Sequence, residues 1–322
     1  MNIDKKNIRA WSMIGPTGLF GVAMNELAHE YENINVVTAD LCSFSGLERF
    51  SKEHPNQHFN VGIAEQNMVG VAAGLAKEGQ RTFVATYGTF ATTRALDQVR
   101  INMGYMKIPI KLVGLTSGFA SGILGATHMC LEDVGIIRSI PNITILSPAD
   151  CLEAMKCFEA ALLLDEPIYI RLTGTSRMSV VYNEDYDYEI GQNSCMREGL
   201  DVCIFATGSM VSVALKVADE LEVKGISTKV YNVHTLKPFQ EAVVKENLHC
   251  KLMVTVEEHS VFGGLGDIVA GELSKQEKHP PLLKCGVEDY YPHAASYETL
   301  LERVGLTKDS IVNKITSRYN EF

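Results

Sequence analysis

Apolar residues follow two rhythms along this chain. Short β-branched runs occupy 35–39, 81–86, 109–115, 143–146 and 167–172 and predict strands. Between them, amphipathic stretches at about 9–30, 64–78, 90–104 and 150–164 predict helices. A polar, tyrosine-rich stretch, "VYNEDYDYEIGQNS" at 181–194, interrupts the pattern, which then restarts. Strands are expected at 201–207, 227–233, 251–256 and 281–285, with helices near 210–224, 239–248, 264–275 and 296–303. Such alternation implies an α/β protein with two doubly wound domains and mainly parallel sheets. The expected boundaries are 1–180, a linker at 181–194, and 195–322.

One helix breaks the usual pattern. In "FNVGIAEQNMVGVAAGLAKEG", Ile63, Met68, Val69, Ala72 and Leu75 or Ala76 mark a buried face, and Glu65 falls at the start of that face. An acid in the first turn of a helix ordinarily faces water and gains from the helix dipole. The surroundings argue for more here. "TYGTFATTRALDQVR" puts Tyr87 and Phe90 at the carboxyl end of a strand, where open α/β sheets bind ligands. After the next long strand, "GLTSGFASGILGATHM" carries four glycines and His128. Glycine-rich loops allow backbone to approach a ligand closely, although a loop histidine taken singly is more often just solvated. An inward acid, an aromatic platform and a histidine thus share one sheet edge.

Hydrophobic residues form 46% of the 322 residues and charged residues 21%, ample for real cores. The formal charge of −10 argues against a general binder of nucleic acid or anionic membranes. Eight dispersed cysteines without a CxxC pair read as reduced thiols of a cytoplasmic protein. The amino terminus has no signal-like apolar core, and no run approaches the ~18 apolar residues of a membrane span. Walker and GxGxxG fingerprints are missing. "FGGLGD" at 262–267 has different spacing and reads as a turn with close packing.

These motifs together carry a family resemblance. "FNVGIAEQNMVGVAAGLA", "TADL" at 38–41, "TYGTF", "GATH" and "TVEEHSVFGGLG" at 255–266 resemble the transketolase family of thiamine-diphosphate enzymes. The likeness is nearest to stand-alone C-terminal subunits of split transketolases, with deoxyxylulose-phosphate synthase a more distant cousin. It implies a pyrimidine-binding domain followed by a transketolase C-terminal domain. In such enzymes the glutamate matching Glu65 hydrogen-bonds N1′ of the cofactor's aminopyrimidine and favours its imino tautomer. N4′ then takes the proton from thiazolium C2. The resemblance also implies stacking by Phe90 and Tyr87, places Ile63 and Asp40 at the cofactor, and sets His128 toward the donor's hydroxyl and carbonyl groups.

It further implies what this chain lacks. The GDG signature that binds diphosphate through Mg²⁺ or another divalent ion is not present, and no metal site is expected in this chain. An N-terminal transketolase-like subunit is therefore expected as partner, in an α2β2 heterotetramer. Three family positions that grip sugar phosphate fall on Gly18, Thr116 and Gly174, and a hydroxyl-reading aspartate falls on Leu124. Arg171 and Arg177 lie nearby, but Arg171 sits within a strand and is equally consistent with a structural role. The expected function is transfer of a two-carbon ketol unit with an atypical substrate. The alternatives are the β-type subunit of a 2-oxo-acid decarboxylating system and a non-catalytic assembly subunit. Keeping Glu65, Phe90 and His128 argues against the last, because an unpaired buried carboxylate is costly.

Overall fold

In the computed structural model, which describes residues 3–321, every β-branched run named above becomes a strand. The strands are β1 (Ile34–Thr38), β2 (His58–Asn60), β3 (Arg81–Tyr87), β4 (Lys111–Ser117), β5 (Thr144–Leu146), β6 (Ile168–Thr173), β7 (Ser194–Arg197), β8 (Val202–Ala206), β9 (Thr228–Asn232), β10 (Thr235–Lys237), β11 (Leu252–Ser260) and β12 (Leu282–Val287). The helices are α1 (Lys5–Ile14), α2 (Pro16–Glu30), α3 (Glu48–Glu53), α4 (Glu65–Lys77), α5 (Leu96–Val99), α6 (Asp133–Arg138), α7 (Cys151–Leu163), α8 (Met210–Val223), α9 (Ala242–Lys245), α10 (Leu265–Leu273), α11 (Tyr297–Arg303) and α12 (Lys308–Tyr319).

A seven-stranded sheet has the order β10-β5-β6-β4-β3-β1-β2, and a five-stranded sheet the order β12-β11-β8-β9-β7. All pairings are parallel except β10 with β5 and β7 with β9. Strands β1, β4, β5, β6 and β8 are buried along their whole length, because helices cover both faces of each sheet. Among the described residues, no helix is long and apolar enough to cross a membrane.

The differences from the sequence expectation have local causes. The helix expected at 9–30 divides into α1 and α2 at Gly15, whose φ of 83° favours glycine, followed by Pro16 at a first-turn position. Edge strands β2 and β7 are short and partly exposed, so they carry no β-branched run. At 239–248 only the single turn of α9 forms. Strand β10 returns from the second half of the chain to extend the first sheet, a pairing that local pattern does not encode. The "FGGLGD" segment is a packing device. Gly263 lies against Gly135, and the amides of Leu265 and Gly266 donate to buried Glu257 at 2.7 Å each.

Buried polar groups tie the two sheets together. Arg171 of β6 donates to both Asp133 oxygens, at 3.0 and 2.8 Å, and to the carbonyl of Glu258 in β11 at 2.6 Å. Tyr169 adds a hydroxyl donor to Asp133 at 2.7 Å. Arg171 is therefore structural. Glu258 in turn accepts from the Phe119 amide, the Ser209 hydroxyl and the Tyr297 hydroxyl. The tyrosine-rich stretch packs rather than hanging free: Tyr182 and Tyr186 stack at 4.0 Å, and Tyr186 donates to buried Glu153 of α7.

His234, between β9 and β10, is buried beside Tyr188, and burial pushes its imidazole down to about 4. A histidine depressed on folding contributes stability that is present above the unfolded value of ~6.5 and lost as pH falls from there toward 4. We expect acidification from pH 7 to pH 5 to cost the parent about 2 kcal/mol more than His234→Gln. Paired urea melts at both pH values measure this, and the comparison cancels the opposite contribution of Asp150, whose carboxyl burial raises to about 6. Parallel losses in both proteins would refute it.

Candidate active site

The residues singled out in the sequence come together at the carboxyl edge of the first sheet. Glu65 is the first residue of α4 and only 5% exposed. Tyr87 ends β3, Phe90 begins the next helical segment, and His128 lies in the glycine-rich loop after β4. The three rings form a mutual edge-on cluster. Their centroids are 5.5 Å apart for Tyr87 and Phe90, 5.0 Å for Tyr87 and His128, and 5.2 Å for Phe90 and His128. Such tilted contacts suit the ring quadrupoles. Thr127 and the Nδ1 of His128 lie 3.0 Å apart, which helps set the imidazole orientation.

Arg94 joins the acid to the rings. Its Nη1 donates to Glu65 Oε1 at 2.6 Å, and its guanidinium lies 3.7 Å from the centroid of the Phe90 ring. The backbone that carries Arg94 is itself unusual. Residues Phe90–Arg94 form a π-helical turn, and a second runs from Arg100 to Tyr105. Wider turns of this kind are rare and concentrate at functional sites. Sequence reasoning missed Arg94, although a cation four residues after the ring in "FATTR" was its signal. It also missed Phe44, whose ring lies 4.8 Å from Tyr87.

Asp40 and Ile63 lie on the loops after β1 and β2, which are neighbours in the sheet. Asp40 has a positive φ of 60°; its amide donates to Asn60 Oδ1 at 2.9 Å, and the Asn60 amide group donates back to its carboxylate. Ile63 is a correction. Its expected place on the buried face of the helix is not observed, because α4 starts at Glu65 and Gly62 turns the chain at φ 73°. Ile63 is 78% exposed.

A cavity of about 460 Å³ opens beside this cluster, and Tyr87 and Phe44 form part of its wall. Gly18, Thr116, Leu124 and Gly174 all line it, although they are far apart in the sequence. Among the described residues, no charged side chain contributes to the lining. Thr116 is unusual within it. It is a β-branched residue at φ 51°, 7% exposed, whose Oγ1 has no hydrogen-bond partner among the described residues. A second cavity, of about 410 Å³, shares Gly174, Thr175 and Ser176 with the first and is also lined by Arg177 and Lys216.

Comparison with known proteins places this geometry in context. Residues 14–177 match the model for the transketolase pyrimidine-binding domain, and residues 191–311 match the model for the transketolase C-terminal domain. The chain is 39% identical over 299 residues to a 6-deoxy-6-sulfo-D-fructose transketolase subunit of Clostridium sp. strain MSTE9, covering 92% of each chain. It is 35% identical over 302 residues to an apulose-4-phosphate transketolase subunit of Phocaeicola vulgatus, covering 93% of this chain and 96% of that one. Among solved structures, a split-gene transketolase described as an inactive beta4 tetramer superposes with a TM-score of 0.85 at 35% identity, covering 95% of this chain and 98% of that one.

Proposed function

The chain belongs to the transketolase family, and we propose that it serves as the pyrimidine-binding subunit of a two-component thiamine-diphosphate ketol transferase. The observation that carries this reading is the unbroken run from Glu65 through Arg94 and Phe90 to His128 and Tyr87, ending at the wall of an uncharged cavity. The residues fit an aminopyrimidine. A nearly buried carboxyl group stands ready for a ring nitrogen, and Phe90 offers an aromatic face. Thiamine diphosphate, when bound, supplies the nucleophilic carbon for cleaving and forming the ketol bond.

The chain's own groups then divide the work. Glu65 holds or shares a proton with the pyrimidine nitrogen, and its low exposure keeps competing water away. In the isolated chain Arg94 occupies the same carboxylate oxygen and covers Phe90, so docking requires the guanidinium to swing aside. Arg94 is 45% exposed, which leaves it room to do so. His128 faces the donor's oxygens, while Asp40 and the exposed Ile63 flank the cofactor near the subunit boundary. The partner is an N-terminal transketolase-like subunit that binds the diphosphate through Mg²⁺, in an α2β2 assembly of the closed two-fold kind that oligomers favour.

For the substrate, the cavity supports an atypical ketose. Gly18, Thr116 and Gly174 offer no cationic or imidazole group, and charge-assisted bonds are what ordinarily hold a terminal phosphate. Two such bonds at roughly 1.5–3 kcal/mol each correspond to a loss of about two orders of magnitude or more in affinity. An anionic end of different reach has Arg177 and Lys216 available in the adjoining cavity. Unphosphorylated ketoses, or ketoses whose anionic end reaches the adjoining cavity, fit this arrangement better than ordinary sugar phosphates.

Reconstitution tests the whole reading. The purified chain with thiamine diphosphate and Mg²⁺ is expected to show no ketol transfer, and to gain it when the metal-binding subunit is added. Turnover by the lone chain would overturn the two-component reading. In the reconstituted pair, competition should rank sulfonated or unphosphorylated ketoses above xylulose 5-phosphate and fructose 6-phosphate. The reverse ranking would overturn the substrate assignment while leaving the two-component reading intact.

A further inference from the structure

Away from the active-site edge, two helices end beside one another with an unusual set of donors. His29 lies in the last turn of α2, Glu53 ends α3, and His54 caps that helix. One coordinating atom from each of the three can be chosen so that all lie within 4.8 Å of one another. His29 Nε2 is 3.7 Å from Glu53 Oε2, close to the ~3.4 Å that separates ligands around a tetrahedral zinc ion with bonds of ~2.0–2.1 Å. The two imidazoles approach edge-on, with centroids 5.3 Å apart.

Two observations point to a ligand rather than to chance proximity. The Nε2 of His54 is buried and has no hydrogen-bond partner among the described residues. A buried polar atom left in that state costs free energy unless a ligand satisfies it. The carboxylate of Glu53 is also held in place from behind. Arg49 Nε donates to Oε1 at 2.9 Å, and the amide of Asn25, only 2% exposed, reaches Oε2 at 3.2 Å. Metal-ligating carboxylates are typically oriented by such outer hydrogen bonds. The last-turn carbonyls of α2 add partial negative charge at the same end, which favours a cation.

We propose that His29, Glu53 and His54 form a binding site for a zinc-class divalent transition metal that clips α2 to α3. The donor set of two imidazoles and one carboxylate suits zinc and its first-row neighbours, whereas Mg²⁺ and Ca²⁺ prefer oxygen donors throughout. Three protein ligands leave a fourth position for water. Because the first turn of α2 lines the substrate cavity through Pro16, Thr17 and Gly18, a clip at its far end holds the helix that shapes that wall. The site stands apart from the thiamine reading and survives or fails independently of it.

The test is calorimetric titration of the chelator-treated full chain with Zn²⁺ alone, together with the visible spectrum of its Co²⁺ form. One saturable site per chain is expected, with a cobalt spectrum of nitrogen and oxygen ligation and a rise in melting temperature on adding Zn²⁺. His29→Ala changes an exposed side chain and should fold normally, yet lower the affinity by at least about tenfold and abolish the melting-temperature rise. His54→Ala should do the same, and His29→Ala decides the matter if His54→Ala does not fold. Absence of saturable binding overturns the proposal. So does unchanged binding in His29→Ala, or a cobalt spectrum dominated by thiolate charge transfer, which would place the metal on cysteines.

Discussion

Replacing Glu65 with glutamine should leave the fold intact and lower ketol transfer by the reconstituted enzyme about 10²–10⁴-fold. The amide keeps the shape of the side chain and still accepts a hydrogen bond from Arg94, but it cannot share or release the proton that a carboxyl group exchanges with a ring nitrogen. Stability should change little, because the Arg94 end of the ion pair is 45% exposed and such pairs contribute modestly. Single-turnover rates of the reconstituted variant measure the effect, with thermal melts as the control on folding. Proton exchange at the cofactor's C2 position, followed by NMR in the complex, should slow in parallel. His128→Ala should separate from it, impairing donor turnover while leaving that exchange nearly intact. Exchange at the parent rate in Glu65→Gln would overturn the assignment.

The second large effect concerns the joint between the sheets. Arg171→Met should destabilise the chain by about 3–5 kcal/mol, since it strips the guanidinium from a fully buried carboxylate. Burial by itself raises the Asp133 carboxyl, yet Arg171, His259 and the hydrogen bonds from Tyr169 and Arg171 hold it below the usual carboxylate range. Without the arginine, the charge keeps, among the described residues, the Tyr169 hydroxyl and a histidine nitrogen 3.8 Å away. The carbonyl of Glu258 loses the guanidinium donor in the same change, while that of Cys130 keeps the Gly118 amide. Combining Arg171→Met with Asp133→Leu should recover much of the loss, because apolar replacement of a whole buried pair is often neutral. Urea denaturation of the single and double variants gives both numbers. A single-variant cost below about 1 kcal/mol would show that the pair is not the joint described.

Much of this protein was legible in the sequence. Runs such as "NVVT", "FVATY" and "IYIRL" became strands because β-branched residues buried on both faces leave a continuous apolar signature. Glu65 stood out for the same reason, as an acid where the 3.6-residue period called for an apolar side chain. The identical argument failed for Ile63 two residues earlier, since periodicity does not say where a helix begins and Gly62 turns the chain before it.

Other features depended on residues far apart in the chain. Arg171 was ambiguous in its strand until Asp133, on a separate helix, supplied the charge that fixes it as structural. Arg94 met Glu65 only in the fold, where the segment after β3 lies against the start of α4, 29 residues earlier in the chain. Strand β10 left its own half of the chain to complete the first sheet. Resemblance selected Gly18, Thr116, Leu124 and Gly174 one by one, but the packing of α2 against the loops after β4 and β6 gathered them into one uncharged cavity. Local order is written in neighbouring side chains, because strand and helix burial repeats every two or 3.6 residues. Ion pairs, cavity walls and sheet closure join groups distant in sequence, so the tertiary structure alone decided them.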